Sequence, residues 1–486
     1  MEFLYQKLKE YHQKNIYPFH MPGHKRNEDA VEFQPKLTED ITEIDGFDYL
    51  HRPTGILQES QAAAAELYQA EETYYCVNGS TGALLAAIAA CTAPGGAILM
   101  ARNCHQSVYH GVCLSGVENY YVYPELLSSY DIHGAVMPEK VEAALSAHPR
   151  VQAVVITSPT YDGVVSSVGE IAEIVHRRGV PLIVDEAHGA HFPFHDYFPH
   201  SALEQGADVV VHSLHKTLPA LTQTALLHVQ GKLADRERLR RYMGMYQTSS
   251  PSYLLMGSID SCIRNLQRSG KAFFEKYVER LEGLRGRLSG LEYIQLAGED
   301  LYQNKAVWDL DRSKLLLRVR TEGAGGHQLY ELLLKKYGLQ MEMEAKTYVL
   351  GMTSPADTKD GYDRLCRALE DIEREWRVEG RALRKPEEES ALNWQETVVL
   401  AKKVLSISDA MARPRMLVPF EQSEGCIAGE FLHLYPPGVP LAVPGEQITQ
   451  KLLDTVAACR DAGLEVRGLA GECGEMMRVC SIGENS

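Results

Sequence analysis

The ten cysteines of this 486-residue sequence include no Cys-x-x-Cys pair, and they are scattered along the chain. This distribution argues against a disulfide framework or a zinc knuckle and is typical of reduced, partly buried thiols. His188 with His191, and His212 with His215, have a three-residue spacing that metal ligands can use. No nearby acidic or cysteine residue completes a convincing set, so we predict no metal.

The sequence also lacks a long apolar run and an excess of positive charge. No apolar segment approaches the ~18 residues of a membrane span, and the polar start of the chain argues against a signal peptide. Its 49 Lys and Arg are outnumbered by 65 Asp and Glu, which gives a net charge of −16. A nucleic-acid-binding protein would be expected to carry a basic patch. We therefore expect a cytoplasmic protein without nucleic-acid or membrane partners, and the acidic balance mildly favours a cationic substrate.

Two apolar runs in the middle of the sequence each lead to a reactive side chain. Residues 180–184 precede Asp185, and residues 208–215 precede Lys216. Pyridoxal phosphate (PLP) needs an amine that holds its aldehyde as a Schiff base and a carboxylate that keeps its pyridine nitrogen protonated. We predict these roles for Lys216 and Asp185. The alternative is that Asp185 caps a helix and Lys216 is a solvated surface lysine.

A turn upstream offers a site for the cofactor phosphate. A short strand is followed by Asn78-Gly79-Ser80-Thr81-Gly82 and then by an alanine-rich helical run. A helix start there would direct backbone N–H groups and the hydroxyls of Ser80 and Thr81 at an anion. Ser213 and His215 could add donors from the strand that carries the lysine. An ordinary helix N-cap would have a similar sequence.

His105 follows a predicted strand, Ala97 to Ala101, through a three-residue loop. Open α/β sheets bind their ligands at the carboxyl ends of the strands, so the flat imidazole could stack on a cofactor ring. A histidine in a loop can equally be a loop residue without such a role.

Seven motifs between residues 19 and 446 resemble the Orn/Lys/Arg decarboxylase family, in the short form found in Gram-positive bacteria. The first and the last are the most specific, because generic aminotransferases carry neither. The motifs are Phe19-His20-Met21-Pro22-Gly23-His24-Lys25, Asp48-Tyr49-Leu50-His51-Arg52-Pro53-Thr54-Gly55, Asn78-Gly79-Ser80-Thr81, Ser158-Pro159-Thr160-Tyr161-Asp162-Gly163, Asp185-Glu186-Ala187-His188, Ser213-Leu214-His215-Lys216 and Tyr435-Pro436-Pro437-Gly438-Val439-Pro440.

The resemblance implies a PLP-dependent enzyme of fold type I that decarboxylates arginine, lysine or ornithine and serves polyamine biosynthesis. Arginine is favoured because short-form relatives often use it. The family pattern implies Lys216 as the Schiff-base lysine, Asp185 at the ring nitrogen, His105 stacked on the ring and His188 close to the cofactor. The residues that it implies around the phosphate are Ser80, Thr81, Ser213 and His215.

The sequence departs from the family pattern at two points. Gly82 stands where relatives often have a hydroxyl residue, so it could offer the phosphate only its backbone N–H. Longer relatives begin with a receiver-like wing domain, and a first motif at residue 19 leaves no room for one, so we do not expect their large ring-shaped assemblies. We expect a homodimer or higher homo-oligomer with active sites at the subunit interface.

The order of strand and helix patterns predicts the domains. Strands alternate with helices from about residue 58 to residue 229, which predicts a mostly parallel sheet covered on both faces. The predicted strands are residues 97–101, 151–157, 180–185, 208–213 and 225–229. Pro138 marks a helix start and Gly179 a helix stop within this region. Long charged helices after Tyr253 indicate a smaller α/β domain. The predicted α/β chain comprises an N-terminal arm and linker (1–57), a PLP-binding large domain (58–265), a small α/β domain (266–378) and a C-terminal α+β domain (379–486).

A substrate with a distal ammonium or guanidinium needs a carboxylate partner, because an unpaired buried charge is costly. The acidic residues nearest to the motifs are Asp45, Asp48 and Glu430, and His24 is a further candidate on the substrate side. Each carboxylate can equally be a solvated surface group. The Tyr435-Pro436-Pro437-Gly438 turn after Glu430 fits a rigid connector as well as it fits a part of the site.

Three other functions remain as alternatives to decarboxylation. Another PLP reaction, such as transamination or β-elimination, would keep every cofactor residue, and only the two terminal motifs argue against it. A PLP-binding regulator would need a helix-turn-helix and a basic face, and neither is visible. A non-catalytic relative would be expected to have lost Lys216 or Asp185, and both are present.

Overall fold

A seven-stranded sheet forms the centre of the molecule. The computed structural model describes residues 4–128, 130–384, 401–435, 439–461, 465–471 and 474–481. Only the Ala225–Val229 strand runs against its neighbours, so the predicted mostly parallel sheet is confirmed. In spatial order the strands are Glu72–Cys76, Ala225–Val229, Val209–Ser213, Leu182–Asp185, Val151–Thr157, Ala97–Ala101 and Glu118–Val122.

Helices cover both faces of this sheet, because its inner strands are buried and largely apolar and need shielding on either side. All residues of the Val209–Ser213 and Ala97–Ala101 strands are buried. Pro138 opens a helix and Gly179, with φ of +67°, follows the end of another, as predicted. The helices of this region are Ile56–Tyr68, Gly79–Cys91, Gln106–Ser115, Pro138–Ala147, Val168–Arg177, Leu214–Thr217 and Arg236–Tyr246.

A smaller antiparallel sheet follows, with strands in the order Ile294–Leu296, Lys314–Val319, Tyr348–Met352 and Met343–Glu344. The 36-residue helix Tyr253–Leu288 leads into it and spans the predicted boundary between residues 265 and 266. An N-terminal strand, Tyr17–Phe19, pairs in parallel with Leu339–Met341, so the arm joins this part of the fold. The remaining helices here are Leu4–Gln13, Glu299–Tyr302, Gly326–Lys335 and Lys359–Val378, and short paired strands are Leu126–Leu127 with Ile132–His133 and Val164–Val165 with Asp309–Leu310.

The C-terminal part has a separate apolar core and an α+β composition. Its strands Arg415–Pro419 and Met476–Cys480 pair with each other, and Leu432–Tyr435 pairs with Val439–Ala442 and Glu465–Arg467. Its helices are Ile407–Ala412 and Gln450–Asp461. Pro436, Pro437 and Gly438 of the predicted turn lie outside the described residues. No helix in the described part of the chain combines the length and apolarity that crossing a membrane requires.

Candidate active site

The carboxyl ends of the central strands meet at one edge of the sheet. The register places Cys76, Ala225 and Ser213 side by side, and Asp185 beside Thr157. The segments that follow these strand ends line a cavity of about 340 Å³. The lining residues are Met21, Gly79, Ser80, Thr81, Leu84, Asn103, His105, Ser107, His133, Thr157, Thr160, Tyr161, Asp162, Asp185, Ala187, His188, Ser213, His215, Lys216 and Glu342.

Lys216 lies in the single helical turn Leu214–Thr217, directly after the Val209–Ser213 strand. Its Nζ lies 3.1 Å from Nε2 of His188. Burial lowers the pKa of Lys216, although Asp185 and Glu342 oppose this effect by their negative charge. A lowered pKa increases the fraction of free amine, which is the form that attacks an aldehyde.

Asp185 ends the neighbouring parallel strand and is only 4% exposed. Its Oδ1 accepts the backbone N–H of Ala187 at 3.2 Å. Burial raises the pKa of Asp185, whereas Lys216 lowers it. A carboxylate in this position gains from a cationic partner in the cavity, and a protonated ring nitrogen is such a partner.

His188 is the closest polar neighbour of the lysine amine. Burial lowers its pKa well below the ordinary value, and Lys216 adds to that effect. A neutral His188 can accept the lysine N–H at Nε2, which leaves its proton on Nδ1. That Nδ1 is buried without a hydrogen-bond partner among the described residues. The ring of Tyr161 packs edge-on against His188 with centroids 4.9 Å apart.

The predicted phosphate residues line one cavity, with Ser80 and Thr81 at the start of the Gly79–Cys91 helix and Ser213 and His215 at and after the end of a strand. The hydroxyls of Ser80 and Ser213 are 2.6 Å apart, although the two residues come from different strand ends. Amides in a first helical turn have no acceptor within the helix, so they can bind an anion. The N–H of Gly82 is already donated to the carbonyl of Asn78 at 3.1 Å. The role of Gly82 at the phosphate therefore stays a prediction, and its N–H would have to be shared with this helical hydrogen bond.

His215 can donate to a phosphate only as a cation. Its Nδ1 lies 2.9 Å from the carbonyl oxygen of Thr224, which can only accept, so Nδ1 carries a proton. In the neutral ring Nε2 then has a lone pair, and burial lowers the pKa of His215 to about 4. A bound phosphate dianion would favour the protonated ring.

His105 lies where the sequence predicted, at the cavity wall after the Ala97–Ala101 strand. It caps the Gln106–Ser115 helix, with Nδ1 3.2 Å from the N–H of Ser107 and 2.8 Å from its hydroxyl. Burial lowers the pKa of His105 to about 4, and Lys216 contributes. The cap and the lowered pKa hold a neutral ring in a fixed orientation.

The four predicted substrate residues do not line this cavity. Asp48 accepts the backbone N–H groups of Thr54, Gly55 and Leu57. Burial acts to raise the pKa of Asp48, but the backbone hydrogen bonds, chiefly from Gly55 and Thr54, lower it overall. Glu430 lies 3.4 Å from Arg478 and 3.5 Å from Arg415. Asp45 is exposed, and His24 Nδ1 accepts the N–H of Arg26. Within one chain, therefore, these four residues either form contacts that stabilise the fold or lie at the surface.

Two other carboxylates line the cavity, and the sequence interpretation did not single them out. Glu342 Oε1 accepts the Tyr161 hydroxyl at 2.5 Å, and Oε2 accepts the Met21 N–H at 2.9 Å. Asp162 is buried and accepts the Tyr348 hydroxyl at 2.7 Å, and burial raises its pKa to about 6. Asp162 belongs to a quoted motif, whereas no local pattern distinguishes Glu342 from Glu344.

The donor set fits PLP. The cavity offers a buried amine, a buried carboxylate, a histidine face and a helix start with two hydroxyls, which match the aldehyde, ring nitrogen, ring and phosphate of the cofactor. Nδ1 of His188 and Oδ1 of Asn103 are buried without a partner among the described residues. Buried polar atoms normally have partners, so these two atoms indicate that the cavity is shaped for a polar ligand.

Comparison with known proteins agrees with this geometry. Residues 3–316 match the Orn/Lys/Arg decarboxylase major domain, and residues 393–474 match the C-terminal domain of the same family. The chain belongs to the Orn/Lys/Arg decarboxylase family. It is a PLP-dependent carboxy-lyase that acts on a basic amino acid, as the sequence predicted.

The similar curated proteins include two enzymes with different substrates. The arginine decarboxylase of Bacillus subtilis (strain 168) is 32% identical over 486 residues, which cover 98% of this chain and 97% of that protein. The lysine decarboxylase LdcA of Pseudomonas aeruginosa is 23% identical and is aligned over 82% of this chain and 66% of that protein.

Solved structures show the fold. The E. coli constitutive lysine decarboxylase superposes with a TM-score of 0.74 at 21% identity, over 88% of this chain and 74% of that chain. The alanine–glyoxylate aminotransferase of Nostoc gives a TM-score of 0.55 at 16% identity, over 74% of this chain and 95% of that chain. Both likenesses confirm fold type I, whose large domain holds the cavity.

Proposed function

We propose that this decarboxylase acts on arginine and that Lys216, Asp185, His188 and His105 form its cofactor site. The observation that carries the site assignment is the position of the Lys216 amine, 3.1 Å from His188 Nε2 in the same cavity as the Asp185 carboxylate. Arginine is supported by the Bacillus relatives, which are named arginine decarboxylases and align over nearly the whole chain.

Three residues prepare the cavity for the reaction. Asp185 keeps a proton on the ring nitrogen by its negative charge, since separating that pair in a buried site would be costly. PLP supplies, when bound, the electron-accepting ring that makes loss of carbon dioxide from Cα possible. His188 fixes the direction of the lysine amine through the 3.1 Å contact. We assign to Lys216 Nζ the delivery of a proton to Cα after carbon dioxide has left.

Glu342 is our candidate for recognition of the distal cation. Its two oxygens each accept one hydrogen bond, from Tyr161 and from Met21. An ionised carboxylate has about four acceptor positions, so two remain for a planar guanidinium. It lies close enough to Lys216 to raise the pKa of that amine. Glu342 therefore combines a fixed orientation with free acceptor capacity and access to the cavity.

Substrate choice is tested by carbon dioxide release from arginine, lysine and ornithine under identical conditions. We expect kcat/KM for arginine to exceed that for the other two by at least about tenfold, which corresponds to ~1.4 kcal/mol. A higher kcat/KM for lysine or ornithine would refute the arginine assignment, while the decarboxylase family would stand.

We further propose a cytoplasmic homodimer with a role in polyamine biosynthesis. The segment before the first large-domain helix exposes Leu37, Ile44 and Phe47 by 90%, 49% and 48%. Several exposed apolar side chains in one segment favour burial against a partner. The N-terminal loop with Gly23 and His24 contacts the lysine segment of its own chain, because the Gly23 N–H donates to the His215 carbonyl at 2.6 Å. The position of this loop therefore does not by itself require an active site shared between two subunits. Sedimentation should give twice the chain mass, and a fully active monomer would contradict the dimer.

A further inference from the structure

We propose that Arg102 and Glu446 form a buried clamp by which the C-terminal part positions the cavity segment 102–109. The inference rests on the proposed stacking of His105, which belongs to that segment. It assigns a positioning role to two residues that do not line the cavity themselves.

Arg102 is the first residue after the Ala97–Ala101 strand and is only 2% exposed. Its guanidinium donates to the Pro440 carbonyl at 2.8 Å and to the Tyr109 hydroxyl at 3.1 Å. The same group lies 3.2 Å from Oε2 of Glu446. Arg102 therefore connects the strand end to two positions of the C-terminal part at once.

Glu446 is the negative partner of this contact and is 3% exposed. Its Oε2 also accepts the N–H of Val443 at 2.9 Å, which fixes the carboxylate on its own segment. Burial raises the pKa of Glu446, and Arg102 opposes that rise. Removal of either charge would leave the other buried without compensation, so the two side chains depend on each other.

Tyr109 connects the Arg102–Glu446 pair to the cavity wall. Its hydroxyl donates to the Arg102 carbonyl at 2.5 Å, which ties the two ends of the segment together. Phe431 of the C-terminal part packs edge-on against the Tyr109 ring with centroids 6.1 Å apart. His105 lies between the tied ends and faces the cavity. A segment that is fixed at both ends holds the imidazole plane for stacking.

The C-terminal part acts from outside the site. Among the described residues, none beyond Glu342 lines the cavity. An effect of Glu446 on the cofactor is therefore indirect, and the contacts of Arg102 offer it a short route through the segment 102–109. A double-mutant cycle with His105 can therefore distinguish a positioning role of Glu446 from direct binding of the cofactor.

The test is a double-mutant cycle on PLP affinity, measured by titration of the apoenzyme with PLP and by the circular dichroism of the bound cofactor. His105→Ala should weaken PLP binding about 3- to 10-fold, the range expected for loss of one ring contact. Glu446→Gln should weaken it to a similar extent. In the His105→Ala background Glu446→Gln should cost less than about twofold, because coupled residues are not additive.

Arg102→Lys provides a second variant that keeps the charge but cannot reach Pro440, Tyr109 and Glu446 together. It should show the same loss and the same non-additivity with His105→Ala. Val456→Ala is the matched control, because Val456 is fully buried in the C-terminal core and its apolar side chain can form neither a hydrogen bond nor an ion pair with the clamp. It should leave PLP affinity within about twofold of wild type.

The outcomes distinguish the proposed stacking of His105 from the proposed clamp. If His105→Ala binds PLP as wild type does, the proposed stacking fails, and the clamp fails with it. If His105→Ala weakens binding but Glu446→Gln and Arg102→Lys do not, the clamp alone is wrong. Equal losses from the clamp variants in both backgrounds, or an equal loss from Val456→Ala, would show a general structural effect and would also overturn the clamp.

Discussion

Two walls of the cavity differ in origin and in accessibility. The first consists of strand ends and their following turns: sheet hydrogen bonds fix the strands that carry Asp185 and Ser213, and Lys216 lies in the helical turn that follows Ser213. The second centres on Glu342, which is partly exposed and is held by Met21 and Tyr161, 321 and 181 residues away in sequence. The difference indicates that cofactor chemistry and substrate recognition are separable. Changes to the first wall should reduce turnover or PLP affinity, and changes to the second should raise KM.

The largest effect is expected at Asp185. Asp185→Ala removes the carboxylate that maintains the ring proton, so kcat should fall at least about 10³-fold, or ~4 kcal/mol of activation free energy. Single-turnover rates at saturating PLP would separate this effect from cofactor loss. Asp196→Ala, an exposed aspartate in the following loop, should behave as wild type. Near-normal turnover of Asp185→Ala would remove this residue from the mechanism.

A change to the second wall should separate KM from kcat. Glu342→Gln keeps the shape of the side chain but leaves a bound guanidinium without its charge partner, so KM for arginine should rise about 30- to 100-fold, ~2–3 kcal/mol. PLP occupancy should stay full. Glu344→Gln is the control, since Glu344 lies two residues away and pairs with His327 at 3.1 Å. An unchanged KM in Glu342→Gln would assign the distal cation to another carboxylate.

Asp162, which lines the cavity, should make the free energy of unfolding depend on pH. Its pKa is about 6 in the fold, against an ordinary 3.8, because burial disfavours the charge. The Asp162 carboxyl loses its proton near pH 4 in the unfolded chain and near pH 6 in the folded chain. Its contribution to the free energy of unfolding is therefore fully present below about pH 4 and is lost as the pH rises to about 6. The difference amounts to ~3 kcal/mol.

Asp162→Asn retains an acceptor for the Tyr348 hydroxyl but cannot ionise. The free energy of unfolding of wild type should therefore decline between about pH 4 and 6 relative to this variant by up to ~3 kcal/mol. Urea unfolding at several pH values measures the difference. Parallel pH profiles for the two proteins would contradict the raised pKa.

The smallest effect is expected at the phosphate end of the first wall. Ser80→Ala removes one hydroxyl from the pair with Ser213, so PLP affinity should fall about fivefold, the range of one neutral hydrogen bond. The KM for arginine at saturating PLP should not change. Ser146→Ala, at an exposed position, serves as the control. A higher KM with unchanged PLP affinity would place Ser80 on the substrate side.

The residues of the first wall could be located from the sequence, because they lie at or shortly after the ends of predicted strands. The predicted strands at 97–101, 151–157 and 225–229 agree with the observed bounds, and those expected at 180–185 and 208–213 begin one or two residues later. Sheet register then brings Asp185 and Lys216 together without further information. The sequence did not reveal that the N–H of Gly82 is used inside the helix that the turn begins.

The second wall could not be predicted from local patterns. Glu342 and Glu344 alternate with Met341 and Met343, so both are typical polar positions of a half-buried strand. The tertiary contacts with Tyr161 and Met21 distinguish Glu342. The clamp is a similar case, since Arg102 and Glu446 are 344 residues apart. Long-range pairing of this kind has no signature in a single sequence.

The most direct test of the account is to identify the lysine that carries PLP. Borohydride reduction of the purified holoenzyme fixes the cofactor on the amine that holds it, and peptide mapping then locates the label. The account predicts label on Lys216, the amine 3.1 Å from His188 Nε2 in the cavity. Label on another lysine, such as the buried Lys25 beside the N-terminal motif, would contradict the proposed active site.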